Sequence, residues 1–342
     1  MRKFYKMILA MVLVICMLSV SACSGEKPNE AVEKEVIKLR LAGQHAAEHP
    51  ATEALNRIAD KIMTDSNGEI EIMVYPSNQL GDYTLVYEEV MTGSIDMAHI
   101  FVPSQYDEKL EINSIPYLVE NYEAMEKVFS EGSNFYRIYS ELHQNLGVHL
   151  LGIYAEGFIG YGMKEMPENY LDPTKTKTNL VRTPAMDVYK LATEDMGYPS
   201  TTIAYADLYT ALQTGVADGW VGGTALMNYL WFRDVVDYFI PYNIFVENTA
   251  YLINQETWNS LSSEHQAIIE EAFEIESKKS FEICESEEMQ AKEDLIADGN
   301  EVIEINEEDR VALADYIRNT TWPKLEAKFS KEIMDELKKD VE

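Results

Sequence analysis

Apolar and polar side chains along this chain follow two periods, one typical of strands and one typical of helices. Residues 69–75 (EIEIMVY) alternate polar and apolar side chains, which predicts a half-buried strand. The segments 87–96 (YEEVMTGSID) and 209–218 (YTALQTGVAD) share tyrosine, an apolar residue, threonine, glycine and aspartate at the same spacing. In both, the apolar residues fall at helical spacing, a glycine closes the helix and a short strand follows. This repeat predicts an α/β fold with mostly parallel sheets in two halves of the chain.

The C-terminal third is predicted to be helical. Ser262 or Ser263 can cap a helix that runs to about Asp298, which is long enough to brace two lobes. Residues 307–339 predict two further amphipathic helices. The aromatic run 228–242 (NYLWFRDVVDYFIPY) has helical spacing, so we expect it to be core rather than a binding site. The length of 342 residues predicts about two domains, and the lack of a low-complexity linker suggests that the chain crosses between them more than once.

The N-terminus has the pattern of a secretion signal. Two lysines precede an apolar run over residues 7–20, which is shorter than the roughly 20 residues that span a bilayer. Residues 1–22 are therefore predicted to be a signal peptide. Its last residues, with the following cysteine, spell VSAC and resemble a bacterial lipobox, which would make Cys23 the lipidated first residue and 23–36 a polar tether. We expect an extracytoplasmic protein anchored by lipid to the cell membrane, in a periplasm or on the outer face of the cytoplasmic membrane.

Charge and cysteine content narrow the possible partners. The chain has 59 acidic and 28 basic residues and a net charge of −31, which argues against binding to nucleic acid or to an anionic lipid surface. An anionic solute would therefore need a local cation to bind. Of the three cysteines, Cys16 is lost with the signal and Cys23 is lipidated, so Cys284 has no disulfide partner. We expect Cys284 to be a buried thiol without chemistry.

One candidate for that local cation is Arg182, in the segment VRTPAM. It follows the apolar pair LV, and Pro184 then ends the strand. The guanidinium of arginine is planar, permanently charged and able to bind a carboxylate through two parallel hydrogen bonds. An arginine in this setting is a candidate carboxylate anchor, whereas an isolated arginine is more often part of a surface salt bridge.

Several segments together resemble the solute-binding proteins of TRAP transporters, which carry organic acids. The matching pieces lie between residues 37 and 300, in this order: LRLAG, SNGEIEIMVYPSNQLGD, GSIDMA, IPYLVENYEAMEKVF, VRTP and LYTALQTGVADG. The resemblance implies a two-lobed periplasmic-binding-protein-like clamp, with a long helix bracing both lobes. Such a clamp closes over a small organic acid and delivers it to an ion-driven membrane permease; it is not an enzyme and needs no cofactor or metal. We assign residues 37–156 and 248–287 to lobe I, and residues 157–247 and 288–342 to lobe II.

The resemblance also implies a set of ligand-binding residues, with Arg182 as the carboxylate anchor. The other predicted pocket positions are Gln44, His45, Tyr83, Phe101, Ile159, Ala185, Trp220 and Gly222. The second arginine usual in this family is replaced by Ile159, and Trp220 is as consistent with packing between lobes as with the pocket wall. Because few of these positions are polar, we expect a carboxylate with an apolar or aromatic body. A shift in alignment would instead bring Glu156 into the pocket and favour a solute with an amine or hydroxyls.

Two alternative functions remain open. His45, Glu48 and His49 spell HAAEH, a pattern of one class of zinc hydrolase that needs all three residues on one helix. Pro50 follows directly and fits only the first turn of a helix, so we expect HAAEH to lie in a loop. The other alternative is a binding protein that serves an ABC permease or a sensor, since either partner would use the same clamp.

Overall fold

The protein is described by a computed structural model over residues 36–341. Its nine strands within this range are β1 (Ile37–Gly43), β2 (Ile70–Tyr75), β3 (Met97–Ile100), β4 (Val148–Met163), β5 (Val181–Thr183), β6 (Ser200–Thr202), β7 (Gly219–Gly223), β8 (Tyr238–Asn254) and β9 (Glu301–Val302). Its α-helices are α1 (Pro50–Asp65), α2 (Tyr83–Thr92), α3 (Tyr122–Phe129), α4 (Asn134–Asn145), α5 (Asp187–Asp195), α6 (Tyr205–Thr214), α7 (Ala225–Met227), α8 (Gln255–Ser260), α9 (Ser263–Asp298), α10 (Glu307–Thr320), α11 (Trp322–Phe329) and α12 (Lys331–Val341). A 3₁₀ helix spans Glu108–Ser114 and a π-helix spans Asn228–Phe232.

The strands form a two-lobed α/β fold around two long central strands. The order across the sheet is β2-β1-β3-β8-β4-β7-β5-β6, with β9 beside β8. The 16-residue β4 and 17-residue β8 pair antiparallel along their length, whereas β1 is parallel to β2 and β3, and β5 is parallel to β6 and β7. Each half of the sheet therefore has the parallel strands that the sequence repeat predicts, and β4 and β8 connect the halves.

The predicted repeat is confirmed at its glycines. Gly93 ends α2 and Gly215 ends α6, each with a φ of 75°, a left-handed conformation that glycine adopts without steric cost. The short strands β3 and β7 then follow. The two copies differ in their tyrosines, because Tyr87 is fully buried whereas Tyr209 is 37% exposed. The shared spacing therefore predicted the helix ends and the strands that follow, but not how deeply each tyrosine is buried.

The long helix is also confirmed, with Ser262 as its N-cap and its last residue at Asp298. It packs on both halves of the molecule. Phe273 lies in a core cluster with residues of α1 and β1, and Leu295 lies in a separate cluster with Phe239 of β8 and Ala225 of α7. A single rigid element thus contacts both lobes.

One prediction about helices is wrong. Residues 307–341 form three helices rather than two, because the chain turns at Ser330, whose φ is 87°, as well as between α10 and α11.

The aromatic run 228–242 forms a π-helix and then enters β8. Phe232, Phe239 and Tyr242 of this run are buried, as the prediction of a core segment requires. Trp231 differs, since it is 44% exposed and lines the cavity described below.

The C-terminal helices contact residues assigned above to both lobes. Asp340 of α12 accepts hydrogen bonds from the backbone of Phe135 (2.8 Å) at the start of α4, and Lys324 of α11 pairs with Asp195 of α5 (2.6 Å). The lobe boundaries given above stay a prediction. The predicted signal peptide, Cys16, Cys23 and the tether up to residue 35 lie outside the described residues. Across residues 36–341, no helix combines the length and the apolar character that crossing a membrane requires.

Candidate binding cavity

A cavity of about 810 Å³ opens at the carboxyl ends of the parallel strands. Gln44 follows β1, Phe101 follows β3, and Pro184 and Ala185 follow β5. Ligands of open α/β sheets bind at this edge, because loops from several strands converge there. The volume is within the range of sites that enclose a small organic molecule.

Arg182 lies at the base of this cavity and is 2% exposed. Its Nε donates a hydrogen bond to the carbonyl of Ile203 (2.8 Å), which fixes the plane of the guanidinium. Its two terminal nitrogens make no hydrogen bond or ion pair with any residue between 36 and 341. Burial lowers the pKa of Arg182, but a guanidinium remains protonated in proteins. The cavity therefore contains a buried cation whose outer donors are free to bind a ligand.

Gly222 provides the space beside this guanidinium. Its φ of 121° favours glycine, and a Cβ at this position would lie 3.7 Å from Arg182 Nη1. A larger side chain here would both strain the backbone and extend toward the guanidinium. Glycine thus keeps one face of Arg182 open to the cavity.

Aromatic side chains form much of the cavity wall. The Tyr83 ring meets the Phe101 ring edge to face at 5.7 Å, and Phe101 meets Tyr189 at 6.4 Å. On the other side, Tyr205 contacts Phe232 at 6.3 Å. Such rings present flat apolar surface while the tyrosine hydroxyls remain available as polar contacts.

Seven of the nine ligand-binding residues predicted from the sequence line this one cavity. They are Gln44, His45, Tyr83, Phe101, Arg182, Ala185 and Gly222. Gln44 also positions its neighbour, since its Oε1 accepts a hydrogen bond from the backbone of Phe101 (2.7 Å).

The structure places Ile159 and Trp220 elsewhere, which corrects the prediction for both. Ile159 is fully buried in the main hydrophobic core, because its position in β4 turns it away from the cavity. Trp220 packs beneath the cavity against Phe232 and donates a hydrogen bond from Nε1 to Asn228 (3.0 Å). Its partners lie within residues 208–236, so it packs inside one half of the chain rather than between the predicted lobes.

Sequence reasoning missed the most unusual group in the cavity, Glu247 of β8. This carboxyl is 3% exposed, lines the cavity, and has an Oε2 that is buried without a hydrogen-bond partner among residues 36–341. Burial raises the pKa of Glu247 well above its usual range; the nearby Glu156 raises it further and Arg182 opposes the shift. The signal in the sequence was a charged residue inside a buried strand, in the segment VENTAYLI.

Behind the cavity wall lies a buried cluster of histidines and a glutamate. His45 Nε2 is 2.9 Å from Glu156 Oε1, and the His45 ring stacks on His49 at 4.2 Å. Glu156 also accepts a hydrogen bond from Thr249 (3.0 Å), whose hydroxyl contacts His99 (2.6 Å). Burial favours the neutral acid, but the charge of His45 and its hydrogen bond lower the pKa of Glu156. The lowered pKa favours the ionised form of Glu156, which does not line the cavity itself.

The HAAEH segment does not form the arrangement that zinc hydrolases use. It lies in the loop before α1, as predicted, and Glu48 is exposed. A different trio, His45, His49 and Glu156, offers possible ligand atoms within 4.8 Å of one another. However, His49 caps α1 by accepting a hydrogen bond from the backbone of Ala51 at Nδ1 (3.1 Å), so its neutral ring carries the proton on Nε2. A metal bound at Nε2 would move the proton of the neutral ring to Nδ1, which could then no longer accept the hydrogen bond from Ala51. The trio therefore does not fit a metal ion well.

We expect the stability of the protein to fall as the pH falls below about 6.5, in part because of His49. Burial and the neighbouring His45 lower the pKa of His49 from 6.5 to about 3, so the unfolded chain binds a proton that the folded chain excludes. One such proton changes the free energy of unfolding by about 1.4 kcal/mol per pH unit.

His49→Asn tests this expectation, because asparagine keeps a capping side chain. Urea unfolding between pH 6 and pH 4 measures the slope of the unfolding free energy against pH, and in the variant this slope should be smaller by about one proton. His99 and His143, whose pKa values burial also lowers, contribute to the slope that remains. An unchanged slope in the variant would mean that His49 is already protonated in the folded protein.

Comparison with known proteins agrees with this site. Residues 41–327 match the family described as bacterial extracellular solute-binding protein, family 7. One relative, the ectoine/5-hydroxyectoine-binding periplasmic protein UehA of Ruegeria pomeroyi, is 24% identical over 67% of this chain and 68% of its own length. The TRAP periplasmic solute-binding protein of Haemophilus influenzae, solved with bound L-gulonate, superposes with a TM-score of 0.78 at 22% identity over 89% of this chain and 98% of that chain. The corresponding protein of Desulfovibrio salexigens, with bound orotic acid, gives a TM-score of 0.80 at 20% identity and the same coverage.

The family match spans most of the chain, and the solved structures share its two-lobed fold. The members compared are solute-binding proteins rather than enzymes. A cavity that combines a buried guanidinium with aromatic side chains agrees with such a role. This chain belongs to the family of bacterial extracellular solute-binding proteins, family 7.

Proposed function

We propose that this protein captures a small organic acid outside the cytoplasm and delivers it to the membrane permease of a TRAP transporter. The carboxylate of the solute binds the terminal nitrogens of Arg182 in bidentate geometry. The observation that carries the proposal is this guanidinium, which is buried at the cavity base with its outer donors unused by residues 36–341. Gulonate and orotate, bound by the two structural neighbours named above, both carry a carboxylate.

The body of the solute lies against aromatic rings in this proposal. Tyr83, Phe101 and Trp231 offer flat surface in a cavity that other apolar side chains, among them Ile203 and Met227, also line. A ring or a short aliphatic chain gains free energy by leaving water for such a surface. The carboxylate then fixes orientation, and the walls select the size and shape of the solute.

Transport measurements test this function. The protein and its permease, reconstituted in vesicles, should take up a bound solute when an ion gradient is imposed and should do so without ATP. Uptake that requires ATP would instead favour an ABC permease as the partner. Ligand binding without any uptake, together with altered kinase activity, would favour a sensor.

We also propose that a lipid on Cys23 holds the protein at the membrane surface, as the VSAC segment suggests. Cells labelled with an alkyne fatty acid should incorporate the label into the wild-type protein but not into Cys23→Ala, which should appear in the soluble fraction. Cys284→Ala is the matched control, because this thiol is buried and should not affect labelling. Equal labelling of the wild type and Cys23→Ala would exclude this site of lipidation.

A further inference from the structure

Glu247 is a buried carboxyl without a partner, and it faces the same cavity as Arg182. It is 3% exposed, and no hydrogen bond or ion pair joins it to any residue between 36 and 341. Arg182 does not neutralise it, since the two groups are not within ion-pair distance, although each affects the pKa of the other. A buried polar group left unpaired is costly, so such groups in native proteins generally have a partner that is a water or a ligand.

We propose that Glu247 is a second anchor and that the solute is a zwitterion, with a carboxylate for Arg182 and a cationic nitrogen for Glu247. This inference rests on the proposed function, because it assigns the other end of the same ligand. The cavity then holds two opposite charges at separate points, and a solute with matching charges satisfies both.

Two observations favour a cationic nitrogen over a hydroxyl at Glu247. The first is the tyrosine rings of the same cavity, whose faces attract cations. The second is the net charge of −31, which repels a simple anion at long range but not a zwitterion.

The charges around Glu247 also predict that binding of a cation releases a proton. The groups that interact with this carboxyl are Glu156 of β4, Arg182 of β5, Tyr83 of α2, Tyr189 of α5 and Tyr205 of α6. Of these, Glu156 and burial favour the protonated form of Glu247 in the empty site, and Arg182 opposes them. A bound ammonium stabilises the ionised form, so the proton of Glu247 leaves as the ligand binds.

Titration calorimetry with matched probes tests the inference. The probes are ω-amino acids from glycine to 6-aminohexanoate, each compared with the ω-hydroxy acid and the unsubstituted acid of the same length. We expect at least one amino acid to bind about tenfold or more tightly than both of its matched acids, a ratio that corresponds to about 1.4 kcal/mol. Titrations at pH 7 in buffers with different ionisation enthalpies should show that binding of the amino acid releases protons, as linkage requires for a carboxyl that ionises on binding.

Variants identify the group responsible. Glu247→Gln should lose both the preference for the amine and the proton release while still binding the unsubstituted acids, and Glu247→Asp should keep part of the preference. Glu293→Gln makes the same change in net charge at an exposed position of α9 and should behave as the wild type. A preference that survives in Glu247→Gln, or unsubstituted or hydroxy acids that bind the wild type most tightly, would overturn the zwitterion but leave the proposed function standing. A wild-type protein that binds none of these carboxylates would overturn both.

Discussion

Replacing Arg182 with alanine is expected to weaken binding of the carboxylate solute by roughly two to three and a half orders of magnitude, which corresponds to about 3–5 kcal/mol. The effect is large because Arg182 is buried, so a carboxylate that has lost its hydration on binding finds no replacement partner. Calorimetry with the natural solute, or fluorescence of Trp231 on the cavity wall, can measure the dissociation constant.

A matched variant separates charge from geometry. Arg182→Lys retains the positive charge but cannot form two parallel hydrogen bonds, so its affinity should lie between those of the wild type and the alanine variant. Both variants lose the Nε donor that bonds the carbonyl of Ile203, and thermal unfolding reports whether the fold is preserved. A dissociation constant unchanged in Arg182→Ala would remove this residue from the binding site.

Replacing Glu288 with alanine is expected to lower the free energy of unfolding by about 3–5 kcal/mol. Glu288 of α9 is 1% exposed, and its Oε2 accepts hydrogen bonds from Tyr122 of α3 (2.8 Å) and from the backbone of Phe158 in β4 (2.9 Å). Lys292 lies 2.6 Å from the other oxygen. Alanine would leave the N–H of Phe158 buried without an acceptor and a void beside it. Urea unfolding followed by circular dichroism measures the loss.

Two controls make the Glu288 result specific. Glu285→Ala changes an exposed glutamate one turn earlier on the same helix and should change stability by less than about 0.5 kcal/mol. Glu288→Gln keeps one acceptor oxygen and should lose less than the alanine variant. Equal stability of the wild type and Glu288→Ala would show that water replaces the carboxylate at this junction.

Features set by local sequence were predictable. The glycine caps at Gly93 and Gly215, the N-cap at Ser262 and the loop before Pro50 each depend on residues close together in the chain. The place of Arg182 was predictable for the same reason, since the apolar pair before it and the proline after it put it in a short strand. Its proposed role as carboxylate anchor came instead from the family resemblance.

Features set by distant pairing were not predictable. Glu247 enters the cavity because β8 pairs with β4 and Glu247 lies opposite Gly157, a register with several irregularities that no local pattern specifies. The same register turns Ile159 into the core. Glu156 reaches His45 only because those long strands cross behind the cavity. The sequence therefore predicted an apolar pocket and missed the buried carboxyl of Glu247 on its wall.

Native mass spectrometry of the soluble form, residues 24–342, tests most directly whether Arg182 anchors a carboxylate in this cavity. Wild-type protein and Arg182→Ala would be purified in parallel from the same host and examined before and after mild release of bound molecules. The wild type should carry a small carboxylic acid, with a basic nitrogen if Glu247 is the second anchor, and Arg182→Ala should be empty. An identical bound molecule in both proteins, or one without a carboxylate, would contradict the account.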